Sequence, residues 1–138
     1  MVNYQTDFAT KEKQFDVLHN TLKEHFSGLV AFEFQQASAL TIAIGWFATS
    51  GVGREFVASS LIFKMAMTVF GVLLTLAHAD WVESFYRRSE NAYRRLVLLN
   101  YIPEDYYAGF RFRRVMICGC KLTHMGLMSL FLILVCSV

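Results

Sequence analysis

The sequence predicts an all-α helical integral membrane protein: a transmembrane hairpin, a third transmembrane helix and cytoplasmic helical extensions in a single membrane domain. Of the 138 residues, 55% are hydrophobic, whereas soluble domains are typically about 45–50% apolar. The excess is clustered in segments 29–50, 56–79 and 115–138. Each segment is long enough to cross a hydrocarbon core of ~30 Å as a helix, which takes about 20 residues.

The N-terminal segment, residues 1–27, is predicted to form an amphipathic helix in the cytoplasm. Phe8, Phe15 and Leu22 recur at heptad spacing, which is typical of an amphipathic or coiled-coil-like helix. Lysines and acids occupy the other face. Because the segment is polar, it has no apolar core of the kind that a secretory signal peptide carries at this position.

Segments 29–50 and 56–79 are joined by the short turn Ser50–Glu55 and are predicted to form an antiparallel hairpin. Small residues recur at i+4 along both helices, and such faces are typical of close helix contacts in lipid. We therefore predict that they form the seam of the hairpin; the alternative is that small residues are simply common in membrane helices. The two stripes are Ala37, Thr41, Gly45 and Thr49, and Gly71, Thr75 and Ala79.

Three polar residues, Glu33, Gln36 and Lys64, lie within the predicted hairpin. If the hairpin folds about Gly53, Lys64 lies ~13 Å from Glu33 along the helix axis, so an ion pair between them is not expected. Anchoring at the interface or helix packing is the favoured interpretation. Because intramembrane ionisable groups are often functional, a pore lining is the alternative.

Residues 80–114 are predicted to form a cytoplasmic helical arm. Apolar residues continue an approximate 3.5-residue repeat from Trp81 to Leu99, so the second membrane helix is expected to project beyond the bilayer and pack against Phe8–Phe26. Pro103 disfavours helical geometry at the residue before it and can open a short new helix that contains Glu104 and Asp105.

The arginines of the arm are predicted to form a basic collar that attracts anionic lipid headgroups. The alternative is topology marking combined with salt bridges, including an i,i+4 pair between Glu90 and Arg94. Both the arm and the leader are rich in basic residues, so the positive-inside rule places the N-terminus in the cytoplasm. The collar consists of Arg87, Arg88, Arg94, Arg95, Arg111, Arg113 and Arg114.

Segment 115–138 is long enough for a third crossing and is interrupted by Lys121 and His124. Lys121 lies near the entry, from which its side chain can snorkel. The chain has three cysteines, all in this segment. An odd number in such a position argues against a disulfide framework and favours small packing residues.

No catalytic residue, metal site or cofactor is predicted. His78 at the end of the second helix and His124 inside the third are expected to differ in depth by roughly 10 Å or more, which makes them poor partners for one haem. The sequence contains no glycine-rich phosphate loop, nucleophile elbow or helical zinc-protease motif. The net charge of +2 is modest, so nucleic acid is not an expected partner.

Four motifs between Trp46 and Phe110 resemble a family of small, uncharacterised bacterial inner-membrane proteins. The resemblance implies a two-helix membrane hairpin with a cytoplasmic arm in a bacterial inner membrane, and it carries no activity. The apolar segment after Arg114 departs from that pattern. The motifs are Gly45-Trp46-Phe47, Arg54-Glu55-Phe56, Tyr86-Arg87-Arg88-Ser89 and Tyr101-Ile102-Pro103-Glu104-Asp105-Tyr106-Tyr107.

The leading functional hypothesis is a non-enzymatic small membrane protein that acts through assembly, as a homo-oligomer or as an accessory subunit of a larger membrane complex. Membrane lipids and a membrane-protein partner or second copy are the expected partners. The alternative is a homo-oligomeric ion channel or membrane-permeabilising effector, and a third hypothesis is a haem-holding redox subunit.

Overall fold

The structure, a computed structural model, describes residues 4–101, 103–106, 109 and 111–138, with side chains from residue 10 onward except that of Glu104. All regular elements in these ranges are helical, as predicted. They are α1 (Tyr4–Thr49), α2 (Gly51–Ala58), α3 (Leu61–Leu99), a 3₁₀ turn (Glu104–Tyr106) and α4 (Arg114–Ser137). The predicted roles of residues 1–3 and of the Phe8 side chain lie outside the described part of the chain.

The predicted boundaries of the turn are wrong, because the turn is itself a helix. The Ser50 hydroxyl accepts a hydrogen bond from the Gly53 N–H at 3.0 Å, and the Ser60 hydroxyl accepts one from the Phe63 N–H at 3.3 Å. Two serine N-caps therefore start two helices, since each satisfies an amide that a helix end leaves unpaired. The second apolar helix begins at Leu61, not at Phe56.

Helices α1, α3 and α4 pack as a three-helix bundle in which α3 runs antiparallel to both of the others. Contacts along α1 proceed in the reverse order along α3 and in the same order along α4. Three buried clusters mark the axis: Leu22 with Ala92, Tyr93 and Leu96; Leu29 with Val82, Phe112 and Ile117; and Phe47 with Val57 and Val135.

The continuation of the second helix into the arm is confirmed. Helix α3 has 39 residues, or ~58 Å of length, and its last turns pack on α1 through Leu22 and Leu96. The helix ends at Asn100, whose φ of 47° places it in the left-handed region. The short helical turn predicted after Pro103 is also present, at Glu104–Tyr106.

Two of the described helices, Leu61–Leu99 and Arg114–Ser137, are long and apolar enough to cross a membrane. Their most apolar stretches are only 11% and 17% buried inside the bundle, so large apolar side chains cover its outside. Helix α1 is not among these two helices. Its apolar part contains Glu33, Gln35 and Gln36.

The predicted seam between the two small-residue stripes is wrong. Thr41, Gly45 and Thr49 are exposed, while a Cβ added at Gly71 would lie 3.0 Å from Leu132 of α4. The physical reason is that Leu29 and Phe47 occupy the core, and this rotation of α1 turns its small residues outward. The threonine hydroxyls donate to their own helix, Thr41 to the Ala37 carbonyl at 2.8 Å.

Candidate functional site in the middle of the bundle

One polar side chain from each long helix meets the others at the middle of the bundle. His78 Nε2 of α3 lies 2.9 Å from Glu33 Oε1 of α1. The His78 ring stacks on the His124 ring of α4, with centroids 3.9 Å apart and planes within 8°. The two histidines are 6% and 5% exposed. We call Glu33, His78 and His124 the polar cluster.

The prediction that His78 and His124 lie at different depths is therefore wrong. Helix α4 does not begin at the level where the apolar part of α3 ends. Its first turns pack beside the arm instead, with Ile117 in the same buried cluster as Val82 and Lys121 Nζ 2.7 Å from Glu83 Oε2. This overlap brings His124 level with His78.

Aromatic rings enclose one side of the polar cluster. Phe32 lies 4.0 Å from Trp81 between ring centroids and stacks against His78 at 6.0 Å. Both residues lie within one turn of a cluster member on their own helix, so the 3.6-residue period of α1 and α3 places them here. The rings restrict access of water to the ion pair between Glu33 and His78.

A small cavity of about 210 Å³ lies on another side of the polar cluster. Both ring nitrogens of His124 are buried with no hydrogen-bond partner among the described residues. Buried polar groups are usually paired, so this histidine is suited to hydrogen-bonding a small molecule in the cavity. The polar lining residues are Glu33, Gln36, Cys120, Thr123 and His124.

The polar residues predicted within the hairpin lie in two different parts of the bundle. Glu33 and Gln36 lie at the cavity, whereas Lys64 is in the first turns of α3. Lys64 and His78 are therefore ~21 Å apart along the helix. As predicted, the structure does not bring Lys64 to Glu33.

The ion pair between Lys121 and Glu83 lies beyond the apolar stretch 61–79. Lys121 was expected to snorkel, and its ammonium instead donates to this carboxylate at 2.7 Å. That hydrogen bond is the main reason that the pKa of Glu83 lies below its ordinary value, and the adjacent Arg87 acts in the same direction. The pair ties α4 to the arm.

Three of the seven arginines of the predicted collar have partners on their own helix, and Arg111 pairs with Glu90 of α3 at 3.4 Å. Arg87 pairs with Glu83 at 3.5 Å, and the predicted pair between Arg94 and Glu90 is present at 3.2 Å. Arg88 donates to the Ser84 hydroxyl at 3.0 Å. Arg95, Arg113 and Arg114 are exposed.

The contact between Glu33 and His78 in the polar cluster pairs a carboxylate with an imidazole at 2.9 Å. Among the described residues, no three His, Cys, Asp or Glu side chains are arranged to hold a metal ion. The two histidines stack face to face, a geometry that cannot place both as opposite axial ligands of one iron. A carboxylate paired with an imidazole limits the cost of burying charge.

Sequence reasoning missed the polar cluster because its members come from three helices. The available signal was that each long helix has an ionisable residue within or at the end of its apolar stretch: Glu33, His78 and His124. Compared with known family models, curated proteins and solved structures, the chain matches none.

Proposed function

We propose that this protein is a three-crossing membrane protein with a non-enzymatic role, which it performs by assembling with a second copy of itself. One observation carries the proposal: the exposed face of α1 carries a stripe of small and polar residues between large ones such as Phe34 and Ile42, whereas the exposed face of α3 between 61 and 76 is mostly large and apolar. The two faces suit two different neighbours. Lipid suits the exposed face of α3, and a protein surface suits the exposed stripe of α1.

Membrane insertion is supported by the outward face of α3. Ile62 is 81% exposed and Leu73 58%, and Lys64 and His78 are the two acidic or basic residues between positions 61 and 79. Soluble monomers rarely expose a continuous apolar surface of this kind, because each Å² left in water costs about 25 cal/mol. Hydrocarbon removes that cost.

The third crossing in this proposal is the apolar part of α1. This helix packs along α3 and α4 through Leu29 and Phe47. If α3 and α4 cross the membrane, the apolar part of α1 therefore lies in the membrane beside them. Its carboxylate, Glu33, is compatible with that position because His78 Nε2 lies 2.9 Å from Glu33 Oε1 and gives it a hydrogen-bonding partner. The arginines of the arm then favour a cytoplasmic N-terminus, in a bacterial inner membrane as the resemblance implies.

Assembly is supported by the outward face of α1. Gln35, Thr41, Gly45 and Thr49 are exposed there, and a Cβ added at Gly45 meets nothing within 4 Å. In lipid, faces of small residues associate by close packing, and polar side chains hydrogen-bond across helices. Phe34, Ile42 and Trp46 are also exposed on this part of α1. We infer that the small residues admit a helix of a second copy and that the large side chains pack around it.

The test is the native mass in mild detergent of Gly45→Leu and a matched control, Ala66→Leu. Both changes add a large side chain to an exposed position, one on α1 and one on the lipid-facing surface of α3. We expect the wild type and Ala66→Leu to be oligomers and Gly45→Leu to be monomeric. A monomeric wild type, or equal effects of the two variants, would contradict the proposal.

A second function, proton or cation conduction by the oligomer, is favoured by the unpaired nitrogens of His124 beside the 210 Å³ cavity. Polar residues inside membranes often mark ion pathways. Flux into reconstituted vesicles should fall in His124→Leu and Glu33→Gln if the cavity belongs to a pathway. Unchanged flux in both variants would leave assembly as the function.

A further inference from the structure

A cavity rich in arginine lies where α4 begins, outside the polar cluster. Its volume is about 470 Å³. Three of its four charged lining residues are arginines and one is an aspartate, so the lining carries two net positive charges. The polar lining residues are Tyr86, Tyr93, Asp105, Arg111, Arg113 and Arg114.

Arg111 is held in place at this cavity by two contacts. Its Nη2 donates to Glu90 Oε1 at 3.4 Å, and its guanidinium carbon lies 5.2 Å from the centre of the Tyr93 ring. Tyr93 itself is 6% exposed. A buried ring and a carboxylate therefore fix one cation in advance, which reduces the entropy lost when an anion binds.

Arg113 and Arg114 differ from the arginines of α3 in what surrounds them. Arg87 and Arg94 each pair with a carboxylate one turn away, which offsets part of their charge. Arg113 and Arg114 are exposed at the mouth of the cavity, and no acidic residue occupies the first turn of α4. They are the cations best placed to meet a ligand.

The level of the cavity in the bundle indicates where its ligand comes from. Phe112 lines the cavity and is buried in the same cluster as Leu29 and Ile117. The apolar run of α4 starts directly afterwards, at Val115. If the protein spans a membrane as proposed above, on which this inference rests, the cavity lies at the level of the cytoplasmic headgroups.

We propose that this cavity binds the phosphate of an acidic phospholipid. Arg113 and Arg114 donate hydrogen bonds to its oxygens, and Arg111 contributes a third guanidinium, whose charge Glu90 partly offsets. Guanidinium groups suit this task because their planar N–H donors match phosphate geometry. Tyr86, half-buried on the same wall, suits a headgroup region because tyrosine combines an apolar ring with a polar end.

The test is native mass spectrometry of the full chain in detergent with equal amounts of phosphatidylglycerol and phosphatidylcholine of the same chain length. We expect preferential binding of phosphatidylglycerol. The double variant R113Q/R114Q should weaken that binding about 25-fold, since each basic residue near an anionic surface contributes about fivefold. The matched control, R87Q/R88Q, removes two adjacent charges from α3 that neither line the cavity nor contact Glu90 and should change binding less than about twofold.

Equal losses in the two double variants would overturn the site in favour of general surface charge, and no loss in either would overturn it outright. Inorganic phosphate at millimolar concentration should not displace the lipid. If it does, the site binds soluble phosphate and the assignment to a phospholipid is wrong. Carbonate extraction of membranes tests insertion separately. A chain that carbonate removes from membranes would contradict the proposed membrane insertion, whereas the lipid selectivity measured in detergent tests the cavity by itself.

Discussion

The two halves of α3 bury and expose opposite kinds of side chain. Between 61 and 79 the helix buries Gly71 and His78 and exposes large apolar residues such as Ile62. Between 80 and 99 it buries Val82 and Leu96 among other apolar residues and exposes arginines. One continuous helix therefore has the pattern of a protein in hydrocarbon along its first half and in water along its second.

The polar cluster lies close to the border between these halves. His78 is the last buried residue of the first half, and Val82 is the first of the second. Glu33 and His124 meet His78 at that level. The cluster thus lies at the level where the outward face of α3 changes from large apolar residues to arginines.

The largest effect is expected in the second half, from Leu96→Ala. Leu96 is 0% exposed at the centre of the cluster with Leu22 and Tyr93, so its truncation removes burial and leaves a cavity. The free energy of unfolding should fall by about 2–5 kcal/mol. Denaturant unfolding in detergent measures it, with Leu73→Ala, 58% exposed in the first half, as the control. Equal losses would mean that the halves do not differ.

Glu33→Leu should destabilise the folded protein at the border between the two halves of α3. It leaves His78, 6% exposed, without its carboxylate partner, and a buried polar group that loses its partner costs about 1–3 kcal/mol. The same unfolding measurement applies. Glu55→Leu, at an exposed position of α2, is the control. A Glu33→Leu protein as stable as the wild type would show that the pair contributes nothing.

Gly71→Leu should destabilise the first half by overpacking. Its Cβ would lie 3.0 Å from Leu132 Cδ2 and 3.2 Å from Met128 Sδ. Overpacking costs about 1–3 kcal/mol, part of which the higher helix propensity of leucine offsets by roughly 0.8 kcal/mol. Gly126→Leu on α4, where an added Cβ meets nothing within 4 Å, should not destabilise. If both variants are neutral, α3 and α4 are not in close contact at Gly71.

The smallest effect concerns pH and the ion pair between Glu83 and Lys121. Because the pKa of Glu83 is lowered in the folded state, its contribution is complete above the ordinary value of 4.5. It is lost as pH falls below that value, since the unfolded state then binds more protons. Lys121→Met should flatten this part of the curve of stability against pH. An unchanged slope would show that Lys121 does not stabilise the Glu83 carboxylate.

Local patterns in the sequence predicted the long helices but not α2. Heptad spacing predicted the packing of Phe15 and Leu22 on the arm, Pro103 predicted the short turn after α3, and i,i+4 order predicted the pair of Arg94 with Glu90. Each of these depends on residues close together in the chain or on a single repeat, so the fixed geometry of a helix is enough to place them.

The candidate site could not be predicted in the same way, because it depends on how the helices are set against one another. Folding the hairpin about Gly53 gave the wrong register, since two serine caps turn residues 51–58 into a separate helix. The small residues of α1 were predicted to form the seam of the hairpin. Leu29 and Phe47 instead occupy the core, and Thr41 and Gly45 face outward.

The sequence by itself determined the helical class, the apolar stretches, the long arm of α3 and its charged outer face. The tertiary structure alone decided that His78 stacks on His124, that Glu33 pairs with His78 and that Arg111, Arg113 and Arg114 share a cavity. The physical reason is the distance along the chain over which the deciding interactions act. Helix formation is governed by neighbours within a few residues, whereas rotation and sliding between helices are governed by the packing of all their side chains together.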